Sequence, residues 1–213
     1  MDTRERLDMF CNAGLLDDCV RTEGREEMPV VGNYRGRIPE KWSGFNEMLS
    51  LRRTWHGLHF FLDDYQFERV WRQPRRYLPL LRGCACVAGP DFSIYADLPR
   101  PMGIWNVYRS RVLTAWWQRE GIGVVPVASW SGEDSFDYAF DGLPEGGTIA
   151  VGTMGARKTE RRSRLFVKGL AVLVERKRPS RLLLYGKPFD VQAGVAEITW
   201  IEPRVEIMRN RLL

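Results

Sequence analysis

Apolar side chains in this chain come in short unbroken runs, each closed by a small group of polar or glycine residues. Four such runs lie between Cys84 and Lys187. Cys84-Ala85-Cys86-Val87-Ala88 precedes Gly89-Pro90-Asp91-Phe92-Ser93, and Val124-Val125-Pro126-Val127 precedes Ala128-Ser129-Trp130-Ser131. Thr148-Ile149-Ala150-Val151 leads into Gly152-Thr153-Met154-Gly155, and Leu182-Leu183-Leu184 into Tyr185-Gly186-Lys187-Pro188. A fifth run, His59-Phe60-Phe61-Leu62, stands ahead of these and ends in Asp63-Asp64. Continuous apolar runs of strand length are what parallel strands buried on both faces require. Helical periodicity fills the gaps between them. Ile104, Tyr108, Val112, Ala115 and Trp116 recur at intervals of three and four, as do Phe166, Leu170, Leu173 and Val174. The pattern predicts an α/β fold on a parallel sheet, either a TIM-barrel-like or incomplete (β/α) barrel, with an open doubly wound sheet as the alternative. Ala196 to Ile201 alternates instead, which predicts a half-exposed last strand at an edge.

Ahead of the first strong run the pattern breaks down. Residues Thr3 to Cys11 can form one short helix, after which Pro29, Gly32, Gly36, Pro39 and Gly44 interrupt any periodicity. Residues 1–213 read as a single α/β domain, with 1–55 an irregular N-terminal extension wrapping the core. Arg35, Arg37 and Lys41, interleaved with Tyr34 and Trp42, suit either a surface strap anchored by aromatics or an arm lying on a polyanion. The first residues lack the apolar core of a signal peptide, and no run reaches the roughly 18 apolar residues that cross a bilayer. A cytoplasmic protein without membrane contact is expected.

Composition adds a bias in charge. The chain has 213 residues, 44% of them hydrophobic and 12% aromatic, which excludes a disordered segment. Its net charge is +5, and much of the excess falls late, in Arg157, Lys158, Arg161, Arg162, Arg164, Lys168 and then Arg176 to Arg181. Such clustering is either a solvated helix face or a footprint for nucleic acid, DNA ahead of RNA, or for a nucleotide-like ligand. Of the four cysteines, Cys84 and Cys86 read as small core residues sharing one strand face. No metal site is expected, because Cys84-x-Cys86 lacks further ligands at a recognisable spacing and His56 with His59 do not supply them. No cofactor is expected either.

The candidate chemistry sits in the polar groups that close the runs, because parallel sheets gather ligands at the carboxyl ends of their strands. Asp63 and Asp64 follow one strand and Asp91 the next. One of the adjacent pair is accounted for by capping the helix that starts at Tyr65, which leaves the other for catalysis. Carboxylates sharing a pocket separate their pKa values, so that one serves as base or nucleophile and another as acid. With two histidines in the chain, acid–base work falls to carboxylates. Asp63, Asp64 and Asp91 are therefore the candidate catalytic residues. Candidate ligand-binding residues are Ser93, Asn106, Arg109, Trp130, Ser131, Gly152, Thr153, Gly155, Arg157, Tyr185, Gly186 and Lys187. Trp130 or Tyr185 offers a face for stacking on a base. Gly152-x-x-Gly155 with Arg157 forms a glycine-bearing loop at a helix start, which favours a phosphate. Trp105 and Trp117 lie near the edge of the apolar stripe, where they can pack on a loop or stack on a ligand. The acidic group Glu133, Asp134, Asp137 and Asp141 reads as a crossover, not a metal site.

Several of these segments, Phe61-Leu62-Asp63-Asp64-Tyr65-Gln66-Phe67-Glu68-Arg69-Val70-Trp71, Pro90-Asp91-Phe92-Ser93, Ile104-Trp105-Asn106-Val107-Tyr108-Arg109-Ser110-Arg111 and Tyr185-Gly186-Lys187-Pro188, resemble in content and order an uncharacterised family found in bacteriophages and integrative elements. That resemblance implies a mobile-element setting and no particular chemistry. A looser one is to the guanine transglycosylases, including the phage enzymes that place 7-deazaguanine bases in DNA. It implies a (β/α) barrel with one aspartate as nucleophile and a second as acid or base. Asp63 or Asp64, Gly152 with Gly155, and Tyr185 with Gly186 fall in a similar order. The Asp-Ser-Gly-Gly motif and the zinc cysteines of that family are absent, and Asp190 is the sole late acidic candidate.

Two functional expectations follow. The first is a phage or mobile-element DNA guanine transglycosylase that inserts a 7-deazaguanine base through paired aspartates. The alternative is a non-catalytic module that binds nucleic acid, a nucleotide or a host protein.

Overall fold

The computed structural model describes residues 11–16, 20–47, 55–156, 158–191, 194 and 197–203. The expected helix over Thr3 to Cys11 and the terminal segment from Met208 fall largely or wholly outside that set, as does Arg157.

Eight short strands build the parallel sheet system. After a small antiparallel hairpin of β1 (Thr22–Glu23) and β2 (Met28–Pro29) come β3 (Trp42–Gly44), β4 (Gly57–His59), β5 (Cys86–Ala88) and β6 (Val124–Val125), paired in that order. A second set runs β7 (Val127–Ala128), β8 (Thr148–Gly152), β9 (Arg181–Tyr185) and β10 (Glu197–Ile201). All pairs except the β1–β2 hairpin are parallel. Pro126 separates β6 from β7, because its ring nitrogen has no hydrogen to add to a ladder. Its carbonyl still accepts from Ala150 N at 2.8 Å, so one extended segment joins the two sets.

Helices connect successive strands. They are α1 (Glu68–Arg72), α2 (Pro74–Arg82), α3 (Arg100–Arg119), α4 (Phe136–Ala139) and α5 (Glu160–Lys177). Pro74 opens α2 at a position that needs no amide, and residues Tyr77 to Leu81 are helical. The strand then begins at Cys86, with Cys84 in the preceding turn, so the two thiols do not share a strand face. The apolar stripe of α3 is wider than its periodicity suggested. Residues Arg109 to Trp117 are all buried, and Trp117 lies wholly inside the core instead of at a ligand-facing edge. Trp105 is partly exposed and packs on Trp71 and Tyr108.

Side chains alternate between two faces along the strands, as the pleat requires. Leu58, Val87, Val124, Ile149, Val151, Leu182 and Leu184 pack against helices. Their neighbours Phe61, Ala88, Val125, Val127, Ala150, Leu183, Tyr185 and Ile201 form one contiguous cluster on the other face. Phe61 and Tyr185 stack there with centroids 4.7 Å apart. In a flat sheet the four pairing steps from β4 to β9, each about 4.8 Å, would hold them roughly 19 Å apart. The sheet therefore curls. A closed TIM barrel is not found: among the described residues the outer strands β3 and β10 pair with no further strand, and the architecture is mixed α/β on parallel strands.

Residues before 55 are less irregular than their sequence indicates. Trp42 to Gly44 pairs with β4, and the β1–β2 hairpin is tied down by Glu23, which accepts from buried Lys177 Nζ at 2.7 Å and from Gly142 N at 2.7 Å. No described helix is long and apolar enough to cross a membrane.

Candidate functional site: a cleft at the carboxyl ends of the strands

A hollow of about 880 Å³ opens where β5, β7 and β8 end. Asp91 stands at its floor. A β-carbon built on Gly152 would press on Phe61 at 3.1 Å and stand in ordinary contact with Asp91 Oδ2 at 3.4 Å, which places the carboxylate at the end of β8. Ser129 donates its hydroxyl to Asp91 Oδ1. Enclosure by protein pushes the Asp91 pKa up to about 6; the Ser129 bond acts against that rise, and the Asp64 charge adds to it.

The loop that carries Asp91 is held on both sides. Ser110 Oγ donates to Pro90 O at 2.6 Å, and Asn106 Nδ2 donates to Ser93 O at 2.6 Å, both from α3 and one helical turn apart. Asp64 accepts from Ser93 N at 3.1 Å and Ser93 Oγ at 2.8 Å. Burial raises the Asp64 pKa, against the lowering by its Ser93 bonds and Arg109. Arg109 completes the network by donating to Glu68 at 2.9 Å and to Asn106 Oδ1 at 2.7 Å, with its guanidinium 3.8 Å from the Phe92 ring centroid. A buried guanidinium needs such partners to offset its desolvation. The result is a clamp from α1 and α3 that fixes the Pro90–Ser93 turn and thereby Asp91.

One wall of the cleft is basic. Arg161 and Arg162 line it from the first turn of α5. A β-carbon on Gly155 would find Lys158 Cδ at 3.9 Å and Arg162 Nη1 at 4.0 Å, so these cationic side chains converge on the glycine loop. The helix start itself is capped from within, since Thr159 Oγ1 accepts from Arg162 N at 3.2 Å. Farther along α5 the charges are neutralised, Arg164 by Glu160 and Lys168 by Glu133. Tyr95 and Asp97 also line the hollow, from the loop after Ser93, as does Trp130, stacked on Phe166.

Of the residues singled out from sequence, Asp91, Ser93, Trp130, Ser131, Gly152 and Gly155 line this cleft. Asp64 sits behind it, through Ser93. Asp63 is exposed at the start of the 64–66 turn, where its side chain makes no capping bond. Asn106 and Arg109 belong to the clamp. Thr153 donates to Tyr185 O at 3.0 Å and presses on Gly186, so Thr153, Tyr185 and Gly186 knit β8 to β9 outside the cleft lining. Lys187 is exposed beyond them. His59, fully enclosed beside Tyr185, is held neutral by burial, its pKa lowered to about 3. Sequence reasoning passed over Ser129, Tyr95, Asp97 and Met154 as site residues, and it placed Arg161 and Arg162 in the basic cluster read as a solvated face or a nucleic-acid footprint. For the two arginines the late basic cluster was a signal. For Tyr95 and Asp97 there was none, because the loop after Ser93 has no pattern that aims it at a cleft.

Comparison with known proteins places the chain in a family. Residues 23–200 match the domain family described as Domain of unknown function (DUF4417), and the chain belongs to it. Two relatives are each called "Gene 1 protein". The one from Mycobacterium phage D29 is 50% identical over 131 residues, covering 62% of this chain and 48% of its own length. The one from Mycobacterium phage L5 is 46% identical over 131 residues, covering 62% of this chain and 57% of its own length. The chain thus spans about half the length of these phage relatives. No solved structure matches it.

Proposed function

We propose that this cleft is a nucleic-acid-directed active site in a phage setting, and that it exchanges a guanine for a 7-deazaguanine base at a glycosidic carbon. The observation that carries the reading is Asp91: a carboxylate enclosed at the floor of a strand-end cleft, poised by Ser129 and facing a wall of arginines. With a pKa pushed up to about 6, Asp91 is mostly ionised at neutral pH yet poorly solvated, a state suited to a nucleophile. In this reading an Asp91 oxygen bonds to the sugar C1′ as the bond from C1′ to the guanine nitrogen breaks, and the guanine leaves with a proton. The incoming base gives up its own ring-nitrogen proton as it displaces Asp91. Asp97, the other carboxyl of the lining, is the acid–base partner, and Asp64 acts through Ser93 by positioning the turn. The successive order of the parallel strands and their curl support an incomplete (β/α) barrel, the scaffold this chemistry implies.

The test is incorporation of labelled guanine or 7-deazaguanine into single-stranded and duplex DNA. Wild-type protein incorporates label and Asp91→Asn does not; absence of incorporation into every DNA form overturns the reading. Arg161 and Arg162, without a carboxylate partner among the described residues, favour a second reading, a non-catalytic nucleic-acid or nucleotide binder, which that negative result would leave standing.

A further inference from the structure

The cleft combines three features that no single role in holding the fold explains. Its volume of about 880 Å³ lies within the roughly 300–1,000 Å³ of sites that enclose a small ligand. Arg161 and Arg162 line it and Lys158 lies beside its Gly155, all three with no carboxylate partner among the described residues, although Arg164 and Lys168 on the same helix are paired. In the same lining Tyr95 is 55% exposed, and Met154 beside the glycine loop is 70% exposed. Large apolar side chains left in water at the mouth of a hollow mark a contact surface.

We infer that the cleft takes an unpaired nucleic-acid strand: one base enters toward Asp91, the neighbouring base stacks on Tyr95, and Lys158, Arg161 and Arg162 hold the flanking phosphates. This inference deepens the functional reading above and rests on the same site. The geometry selects against a duplex. Asp91 lies at the floor, and a base inside a stacked, paired helix does not reach an atom at the bottom of a hollow. The division of the lining also fits a nucleotide. The cationic side chains meet phosphate, the aromatic rim meets a base face, and the carboxyl floor meets the sugar and base edge. An apolar peptide would leave Lys158, Arg161 and Arg162 unmatched, and an acidic peptide would meet Asp91 and Asp97 with like charge.

Fluorescence anisotropy with labelled oligonucleotides of about 12 nucleotides, a length matched to single-strand grooves, tests the inference. The arms are single-stranded DNA, single-stranded RNA of the same sequence, and duplex DNA, each titrated over roughly 50 to 200 mM salt. A single strand of either sugar binds at least about tenfold tighter than the duplex, because unpairing is not then required. Replacing Arg161 and Arg162 together by alanine weakens binding and lowers the salt slope by about 1.4, two contacts at roughly 0.7 each. Tyr95→Ala weakens single-strand binding by about tenfold and leaves the salt slope unchanged, as loss of stacking requires. These side chains are exposed, so unchanged melting temperatures accompany the losses. Duplex binding as tight as single-strand binding, a salt slope indifferent to the arginines, or no binding overturns the inference. Competition by heparin equal to that by the single strand, with Tyr95→Ala silent, also overturns it and leaves a general polyanion patch. Tight single-strand binding without base exchange refutes only the catalytic reading; exchange confined to duplex DNA refutes only this one.

Discussion

Ser129 donates its hydroxyl to Asp91, and that bond ties together two strand ends that are 38 residues apart in the chain. Among the described residues it is the one side-chain bond on the carboxylate in the cleft, and it opposes the rise in pKa that enclosure imposes. Removing it therefore has a defined sign. In Ser129→Ala the Asp91 pKa moves above about 6, because the ionised form loses its donor while desolvation remains. A carboxyl carbon titration by NMR reads this directly, and the acid limb of any exchange activity shifts to higher pH with it. An unchanged or lowered Asp91 pKa would show that the hydroxyl does not stabilise the carboxylate.

Asp91 also carries a cost in stability. Its folded pKa of about 6 exceeds the ordinary value of 3.8, so between those two pH values the native state binds more protons than the unfolded chain. Stability linked to this group falls as pH rises through that window and is level above it. Asp91→Asn removes the charge and is expected to be more stable than wild type at pH 7, by up to roughly 3 kcal/mol less whatever cleft water screens. The gap closes near pH 4. Urea denaturation of both proteins at the two pH values checks it, and a variant less stable than wild type at pH 7 would contradict the account.

The clamp on the Pro90–Ser93 turn makes a second kind of prediction. Arg109 spans Glu68 and Asn106 with two different guanidinium nitrogens. Lysine has the charge but not the fork, so Arg109→Lys leaves one of the two partners unbonded. A loss of about 1–3 kcal/mol is expected, the cost of an unsatisfied buried polar group. Asn106→Ala frees the Ser93 carbonyl and should cost a similar amount. Chemical-shift changes are expected at Asp91 and Ser93 in both variants, and shifts confined to α3 would separate the clamp from the site.

At the other strand end, Gly186 and Thr153 are mutually fitted. A β-carbon on Gly186 would stand 2.0 Å from Thr153 Oγ1, at a φ of +145°. Gly186→Ala is therefore expected to destabilise by about 2 kcal/mol or more, through both contact and backbone strain. Thr153→Ala alone costs about 1 kcal/mol, the hydroxyl bond to Tyr185 O. In the double variant the contact is relieved while the strain stays, so its loss is smaller than the sum. Strict additivity in thermal melts would mean that the two residues do not meet.

The apolar runs determined the element types because buried parallel strands and amphipathic helices write distinct periods into a chain. Cys86 to Ala88, Val124 to Ala128, Thr148 to Gly152, Arg181 to Tyr185 and the edge strand at Glu197 to Ile201 were all legible in this way. So was the rule that Asp91, Trp130 and Gly152 end neighbouring strands. The β3 strand at Trp42 was not, since three residues amid glycine and proline carry no period; pairing with β4 creates it. Nor could spacing tell Asp63 from Asp64, adjacent residues of which one faces solvent and the other reaches Ser93 across 29 positions. Curl brought Phe61 onto Tyr185, and crossover geometry brought Arg161 and Arg162 into the same cleft lining as Asp91. Contacts of that kind depend on the direction in which a side chain leaves the sheet and on what the connecting helices carry to it. Local sequence decides which atoms are apolar or charged; three-dimensional packing decides which of them lose water together, and only that loss raises the Asp91 pKa and defines the cleft.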